Sequence, residues 1–214
     1  MSGEDVSVRA RFERFPATVK GAFVVRGEGA DPHQVAFREA RVVSVAGRSG
    51  FAIPMKPALI DVPPHQDMFL PFEFSVAELE PGWYSLECDV DVDGSPRSVE
   101  GGRRFAVQWP RATVRRGSVV IGRKASLGSM TVKLEQIDCS ADHCLLRYEV
   151  KPPEPVVLKL SADGERMAEL ESDFDDATGR GSLRVYPLLR VHGALRIQAA
   201  ARGKGSAEVE VSLR

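Results

Sequence analysis

The feature that most constrains this chain is a strict two-residue alternation of apolar and polar side chains, which recurs along nearly its whole length. Between Met68 and Val76, the residues Met68, Leu70, Phe72, Phe74 and Val76 fall on one side, with Glu73 and Ser75 on the other. Between Trp83 and Val92, Tyr84, Leu86, Cys88, Val90 and Val92 share a side, and Ser85, Glu87, Asp89 and Asp91 share the opposite one. Successive side chains of a strand point to opposite faces, so this pattern makes one dry and one wet face. A helix would need apolar residues three and four apart, and no long window has that spacing. The chain is expected to be all-β and built from half-buried antiparallel strands.

The same alternation predicts strands at Val6–Phe12, Val19–Arg26, Gln34–Val45, Leu59–Val62 and Arg104–Trp109, which makes about seven over residues 1–109, the number expected of one sandwich. In the second half it predicts strands at Ser118–Ile121, Met130–Ile137, Cys144–Val150, Val156–Ser161, Ser182–Tyr186, Ala194–Ala200 and Ala207–Leu213. Asp163-Gly164 and Arg202-Gly203-Lys204-Gly205 read as hairpin turns, and Glu171–Gly181, rich in Asp and Gly, reads as an exposed loop. A length of 214 residues suits two ordinary domains, so the expected division is 1–109 and 110–214, with the junction at Trp109 and Pro110.

The run Leu79-Glu80-Pro81-Gly82-Trp83-Tyr84-Ser85-Leu86 resembles the turn and following strand of fibronectin type III and related immunoglobulin-like domains. That resemblance, strongest over residues 79–92, implies a tyrosine corner, with the Tyr84 hydroxyl bonded to upstream backbone and its ring in the core. Residues 118–150 loosely resemble telokin-like bacterial domains. The expected fold class is therefore all-β, two tandem antiparallel immunoglobulin-like β-sandwich domains.

Composition narrows function mainly by exclusion. Hydrophobic residues at 43% and charged residues at 28% argue against disorder, and a net charge of −1 supplies no field to recruit nucleic acid or anionic lipid. Twenty-two Arg against seven Lys, with no Asn, reads as the codon bias of a GC-rich bacterial genome. The first residues, MSGEDVSVRARF, lack the basic and apolar segments of a signal peptide, and no run approaches the ~20 apolar residues of a spanning helix. A cytoplasmic location is expected, or an extracytoplasmic one if a leader has been removed.

Three cysteines do not make a disulfide framework. Cys88 falls on the apolar side of its strand. Cys139 and Cys144 bracket Ser-Ala-Asp-His at a hairpin tip, where facing positions would bridge in an oxidising compartment and remain free thiols in the cytoplasm. Together with His143 they supply three soft ligands, but the spacing matches no common zinc knuckle. His33, His65 and His192 lie beside Pro or Gly and read as solvated loop residues.

The sharpest motif is Asp89-Val90-Asp91-Val92-Asp93-Gly94 with Glu100 at the twelfth position, which satisfies the written pattern of an EF-hand calcium loop. Its context opposes that reading. Asp89 and Asp91 continue a strand, where their carboxylates would project about 7 Å apart, so a hairpin turning at Asp93-Gly94 is expected instead. Signatures of serine hydrolases, P-loop proteins and zinc proteases are missing from the sequence.

No residue is therefore assigned to catalysis, and no cofactor or metal is expected. The reading is a non-catalytic protein-interaction or assembly module whose partner is another protein, neither nucleic acid nor membrane. Phe69 and Trp83, of outward parity, and the cluster Arg111, Arg115 and Arg116 are its candidate surface. Exposed edge strands would also permit homo-oligomers through sheet extension. The alternatives are a calcium-dependent binding module using Asp89, Asp91, Asp93 and Glu100, or an enzyme with a site in a cleft between the domains.

Overall fold

The computed structural model describes residues 6–47, 50–100 and 103–213, which form eighteen strands and no helix. Among them, no helix is long and apolar enough to cross a membrane. The chain separates into two compact units, Met1–Val107 and Gln108–Arg214. The division falls two residues before the expected junction. Trp109 is not an inward residue of the last strand of the first unit; its ring meets Tyr186 edge to face at 5.3 Å within the second.

The first unit contains β1 (Val6–Arg14), β2 (Thr18–Gly27), β3 (His33–Ser44), β4 (Phe51–Ala52), β5 (Ala58–Val62), β6 (Asp67–Ser75), β7 (Gly82–Val92), β8 (Ser95–Glu100) and β9 (Phe105–Val107). One sheet has the order β1-β2-β6. In the other, β3 and β7 pair along most of their length, β4 and β5 share the outer rim of β3, and β8 and β9 share that of β7. This sheet is in effect four strands wide with two interrupted edges. All the ladders are antiparallel, and their inward parity buries Val19, Phe23, Val35, Val42, Leu86 and Cys88 in one core.

The tyrosine corner is present. The Tyr84 hydroxyl donates to the Glu80 carbonyl at 2.8 Å, while the ring stacks on Phe105 at 5.7 Å. The segment from Ser95 to Glu100, for which the alternation gave no strand, pairs with β7 after a two-residue turn. Asp93 (φ 49°) and Gly94 (φ 80°) both occupy the left-handed region, as a type I′ hairpin requires.

The second unit contains β10 (Gly117–Leu127), β11 (Met130–Cys139), β12 (Cys144–Lys151), β13 (Val157–Ala162), β14 (Glu165–Arg166), β15 (Glu169–Asp175), β16 (Arg180–Val185), β17 (Ala194–Ala201) and β18 (Gly205–Ser212). Its sheets run β10-β11-β12-β16-β15 and β14-β13-β17-β18, with Leu134, Ile137, Leu146, Leu160, Leu195 and Ile197 fully buried in its core. β10 runs six residues past its expected end because an irregularity between Val120 and Arg123 absorbs the break in alternation.

The expected loop Glu171–Gly181 is instead mostly the edge hairpin β15–β16, which turns at Asp175–Gly179. Phe174 stacks on Tyr148 at 6.3 Å with the rings 9° from parallel. Gly181 lies opposite Tyr148 in register, and a Cβ there would clash with the tyrosine at its Cζ.

Replacing Tyr84 by Phe keeps the ring and removes one hydrogen bond of the corner. The expected loss is about 1 kcal/mol of unfolding free energy in a urea titration, with an unchanged m-value.

Candidate functional site

The outward face of the β1-β2-β6 sheet carries a composite surface. Arg9, Val24 and Phe69 lie side by side in register, as do Arg11, Ala22 and Pro71 in the adjacent row. Phe69 is 57% exposed, whereas Val24, though outside the core cluster, is only 1% exposed. Ion pairs border this apolar strip. Lys20 meets Glu73 at 2.9 Å at one end, and Arg26 and Arg9 meet Asp67 at 3.3 and 3.8 Å at the other.

Trp83 does not join this surface. It lies on β7, in the opposite sheet, where it is half-buried and its carbonyl accepts the Val45 amide at 2.9 Å. The outward faces of two stacked sheets point away from each other, so the shared outward parity of Phe69 and Trp83 does not put them in one patch.

The acidic motif is dispersed by its own strand. Asp91 is engaged by the Arg38 guanidinium, and Arg41 bridges Glu87 at 3.0 Å and Asp89 at 2.9 Å. The hydrogen bond to Glu87 is the main cause holding Arg41 above its ordinary pKa. Asp93 accepts from the His33 ring at 2.7 Å and the Gln34 amide at 2.8 Å, and these bonds, the His33 one first, hold its carboxyl below the ordinary range. Glu100 lies on β8, opposite Glu87. Among the described residues, no three His, Cys, Asp or Glu side chains converge to hold a metal ion.

The hairpin tip between β11 and β12 holds a serine, a histidine and an aspartate. The Ser140 hydroxyl is 2.8 Å from Asp142 and 3.2 Å from His143 Nδ1, which is itself 2.9 Å from Asp142. A catalytic triad uses the two ring nitrogens of histidine for different partners, one for the acid and one for the hydroxyl. Here both contacts use Nδ1. The Ser140 hydroxyl also donates to the His143 carbonyl at 2.7 Å and accepts its amide at 3.1 Å, so the set closes a tight turn.

Immediately below the tip, Cys139 and Cys144 face each other in register as free, buried thiols. The Leu188 amide donates to Cys144 Sγ at 3.3 Å. The thiol of Cys144 is driven up by its hydrogen bond to Cys139 and by burial, whereas Cys139 is drawn down by the same bond and by Arg115. Cys88, in the other unit, is pushed up to about 12, chiefly by burial.

Of the arginine cluster, Arg111 and Arg116 are exposed, while Arg115 is half-buried and tied down. Its amide donates to the Leu188 carbonyl at 2.8 Å and its guanidinium to the His192 carbonyl at 3.3 Å. His33 and His192 are half-buried, with His33 Nε2 and His192 Nδ1 buried without a hydrogen-bond partner. His65, by contrast, is exposed, at a positive φ of 58°.

A shallow groove of about 660 Å³ runs beside Arg11, Phe12, Phe15 and Lys20, with the Arg103 guanidinium 5.8 Å above the Phe12 ring. Of the two rims of the β1-β2-β6 sheet, that of β6 carries Pro71, which has no amide proton to offer a further strand.

No protein-family model and no curated protein matches this chain. Among solved structures, it is similar to a conserved domain protein from Bacillus anthracis, with 10% identity and a TM-score of 0.37, covering 100% of this chain and 89% of that one. Two marsupial T cell receptor structures are similar at 11% and 12% identity, each with a TM-score of 0.27. They cover 98% and 100% of this chain and 62% and 98% of their own.

Two outcomes follow from these carboxylates. Because arginines and backbone amides hold Asp89, Asp91 and Asp93, titration with millimolar calcium is expected to give no binding heat and no thermal shift.

Asp93, Asp138, Asp163 and Asp175 are all held below their ordinary 3.8 by hydrogen bonds, from His33, Ser118, the Gly193 amide and Thr178 in turn. A depressed carboxyl contributes stability that is complete above its unfolded value and lost as pH falls through the folded one. The urea midpoint is therefore expected to fall below pH 3.8, and Asp163→Asn to reduce that fall while lowering the midpoint at neutral pH.

Proposed function

We propose that this chain is a non-catalytic protein-binding or assembly module that engages another protein through the outward face of the β1-β2-β6 sheet. The observation carrying the reading is Phe69, an exposed aromatic in a strip with Ala22, Val24 and Pro71, between ion-paired Arg9, Lys20, Arg26, Asp67 and Glu73. An apolar centre with a charged rim is the anatomy of a protein-recognition patch: the aromatic supplies desolvation energy, and the rim sets orientation and excludes wrong partners.

The neighbouring geometry supports binding over chemistry. A rigid ladder pins each strand, so the surface pays little ordering entropy on association. The Ser140, Asp142 and His143 side chains are spent on closing a turn, and the acids of β7 are spent on arginines. The face is also nearly balanced in charge, which suits a protein better than a polyanion.

The test uses the intact chain with Phe69→Glu, an exposed position where the substitution leaves the core intact. A protein retained from a native extract by the immobilised wild type is expected to bind the variant about 30-fold more weakly, the ~2 kcal/mol of an aromatic hot spot, at equal thermal midpoints. Equal retention by the two chains, or turnover in a broad hydrolase screen, would overturn the reading.

A further inference from the structure

We infer that Cys139 and Cys144 form a reversible thiol–disulfide site, oxidised by an anionic small-molecule disulfide, and that its state is communicated to the Thr113–Arg115 segment. Geometry carries the first part. The Ser140 amide donates to the His143 carbonyl at 2.8 Å, so residues 140 and 143 are a hydrogen-bonded pair of the hairpin. Opposed pairs alternate, which makes Cys139 and Cys144 a non-hydrogen-bonded pair, with Cα atoms expected about 4.5 Å apart and side chains leaning together. A disulfide accepts Cα separations of roughly 4.4–6.8 Å, so the two sulfurs can join with little movement of backbone.

The pair is asymmetric, which assigns the order of events. Cys139 is 8% exposed, beside the Arg115 guanidinium; Cys144 is fully buried and is the thiol held protonated. Arg115 Nε is buried with no acceptor, and its positive charge favours the Cys139 thiolate. Arg111, Arg116 and Arg190 lie within a few residues of Arg115 or of its partner loop and add positive charge, which favours an anionic oxidant.

The chemistry balances without another reactant. The Cys139 thiolate attacks one sulfur of RS–SR, forming Cys139–S–S–R and releasing one thiolate, which takes up a proton. Cys144 then loses its proton and attacks the Cys139 sulfur, expelling the second thiolate, which is protonated in turn. Two protein thiols lose two electrons and two protons, and RS–SR takes them up to become two RSH.

The second part follows from Leu188. Its amide donates to Cys144 Sγ, its carbonyl accepts the Arg115 amide, and the next residue bridges to Val114. Arg190 closes the contact by donating its amide to Thr113 and its Nε to Val114. Turning Cys144 Sγ toward Cys139 removes the acceptor of Leu188 and loosens the loop that holds this segment.

The probe is oxidised glutathione, with cationic cystamine as the comparison. Trypsin cuts after Lys133 and Arg147, so one peptide, Leu134–Arg147, carries both cysteines and reports their state by mass. The native chain is expected to lose two hydrogens in that peptide, to regain them with dithiothreitol, and to leave Cys88 untouched. Cys144→Ser is expected to stop at a glutathione adduct on Cys139, at least about tenfold faster than any adduct on Cys144 in Cys139→Ser. Arg115→Gln is expected to narrow the preference for glutathione over cystamine, and oxidation to speed amide exchange at Leu188 and Arg115 more than elsewhere. Because the wild type is read directly, a variant that folds poorly does not blunt the test. Thiols that react only after unfolding, or equal rates for the two single variants, would overturn the site; unchanged exchange at Leu188 and Arg115 would overturn the communication alone.

Discussion

The first unit depends on the pairing of β3 with β7. On the inner side, Val35, Phe37, Ala40 and Val42 meet Val92, Val90, Cys88 and Leu86, all nearly or fully buried. On the outer side, the same ladder aligns Arg38 with Asp91, and Arg41 with Glu87 and Asp89. Exposed ion pairs add little stability one by one, while the burial of these side chains at roughly 1.5–3 kcal/mol each supplies most of the driving force. The charges instead make a one-residue slip costly, because it would send aspartates into the core and valines into water. Both rims of this sheet are interrupted, and so the central pair sets the frame on which β4, β5, β8 and β9 assemble.

How much of this could be read from sequence follows from burial. Strands with one full dry face, such as β6, β7 and β12, announce themselves because four or five alternate positions are apolar. β8 and β15 do not: in Ser95–Glu100 only Val99 is half-buried, and in Glu169–Asp175 only Leu170 is buried. These are edge strands that pair with a hairpin neighbour and bury almost no apolar side chain of their own. The tyrosine corner was legible because it is local, spanning Glu80 to Tyr84. The company of Phe69 was not. Parity tells whether a side chain faces the core, but which residues stand beside it depends on sheet order, and Arg9 and Val24 come from strands more than forty residues away.

The same reasoning explains why motif and site diverge. The calcium pattern counts residues along a chain, and an extended backbone spreads those residues apart while bringing Arg38 and Arg41 to them from β3. The Ser140, Asp142 and His143 group errs the other way, with the residue types of a nucleophilic site but a single ring nitrogen for two partners. In both cases the hydrogen-bond inventory of each atom, rather than the residue list, decides what chemistry is open. The two aspartates that precede glycine in tight turns, Asp93 and Asp163, are likewise committed to backbone amides.

Pro71 limits how copies of the β1-β2-β6 sheet could join. Open-ended growth of a sheet from copy to copy consumes one rim of each molecule and presents another to the next. With a proline in the middle of β6, that rim cannot complete a regular ladder, and only the rim of β1 remains. Two such sheets can meet rim to rim about a twofold axis, and there the association ends. A single missing amide proton thus separates a closed pair from a fibre.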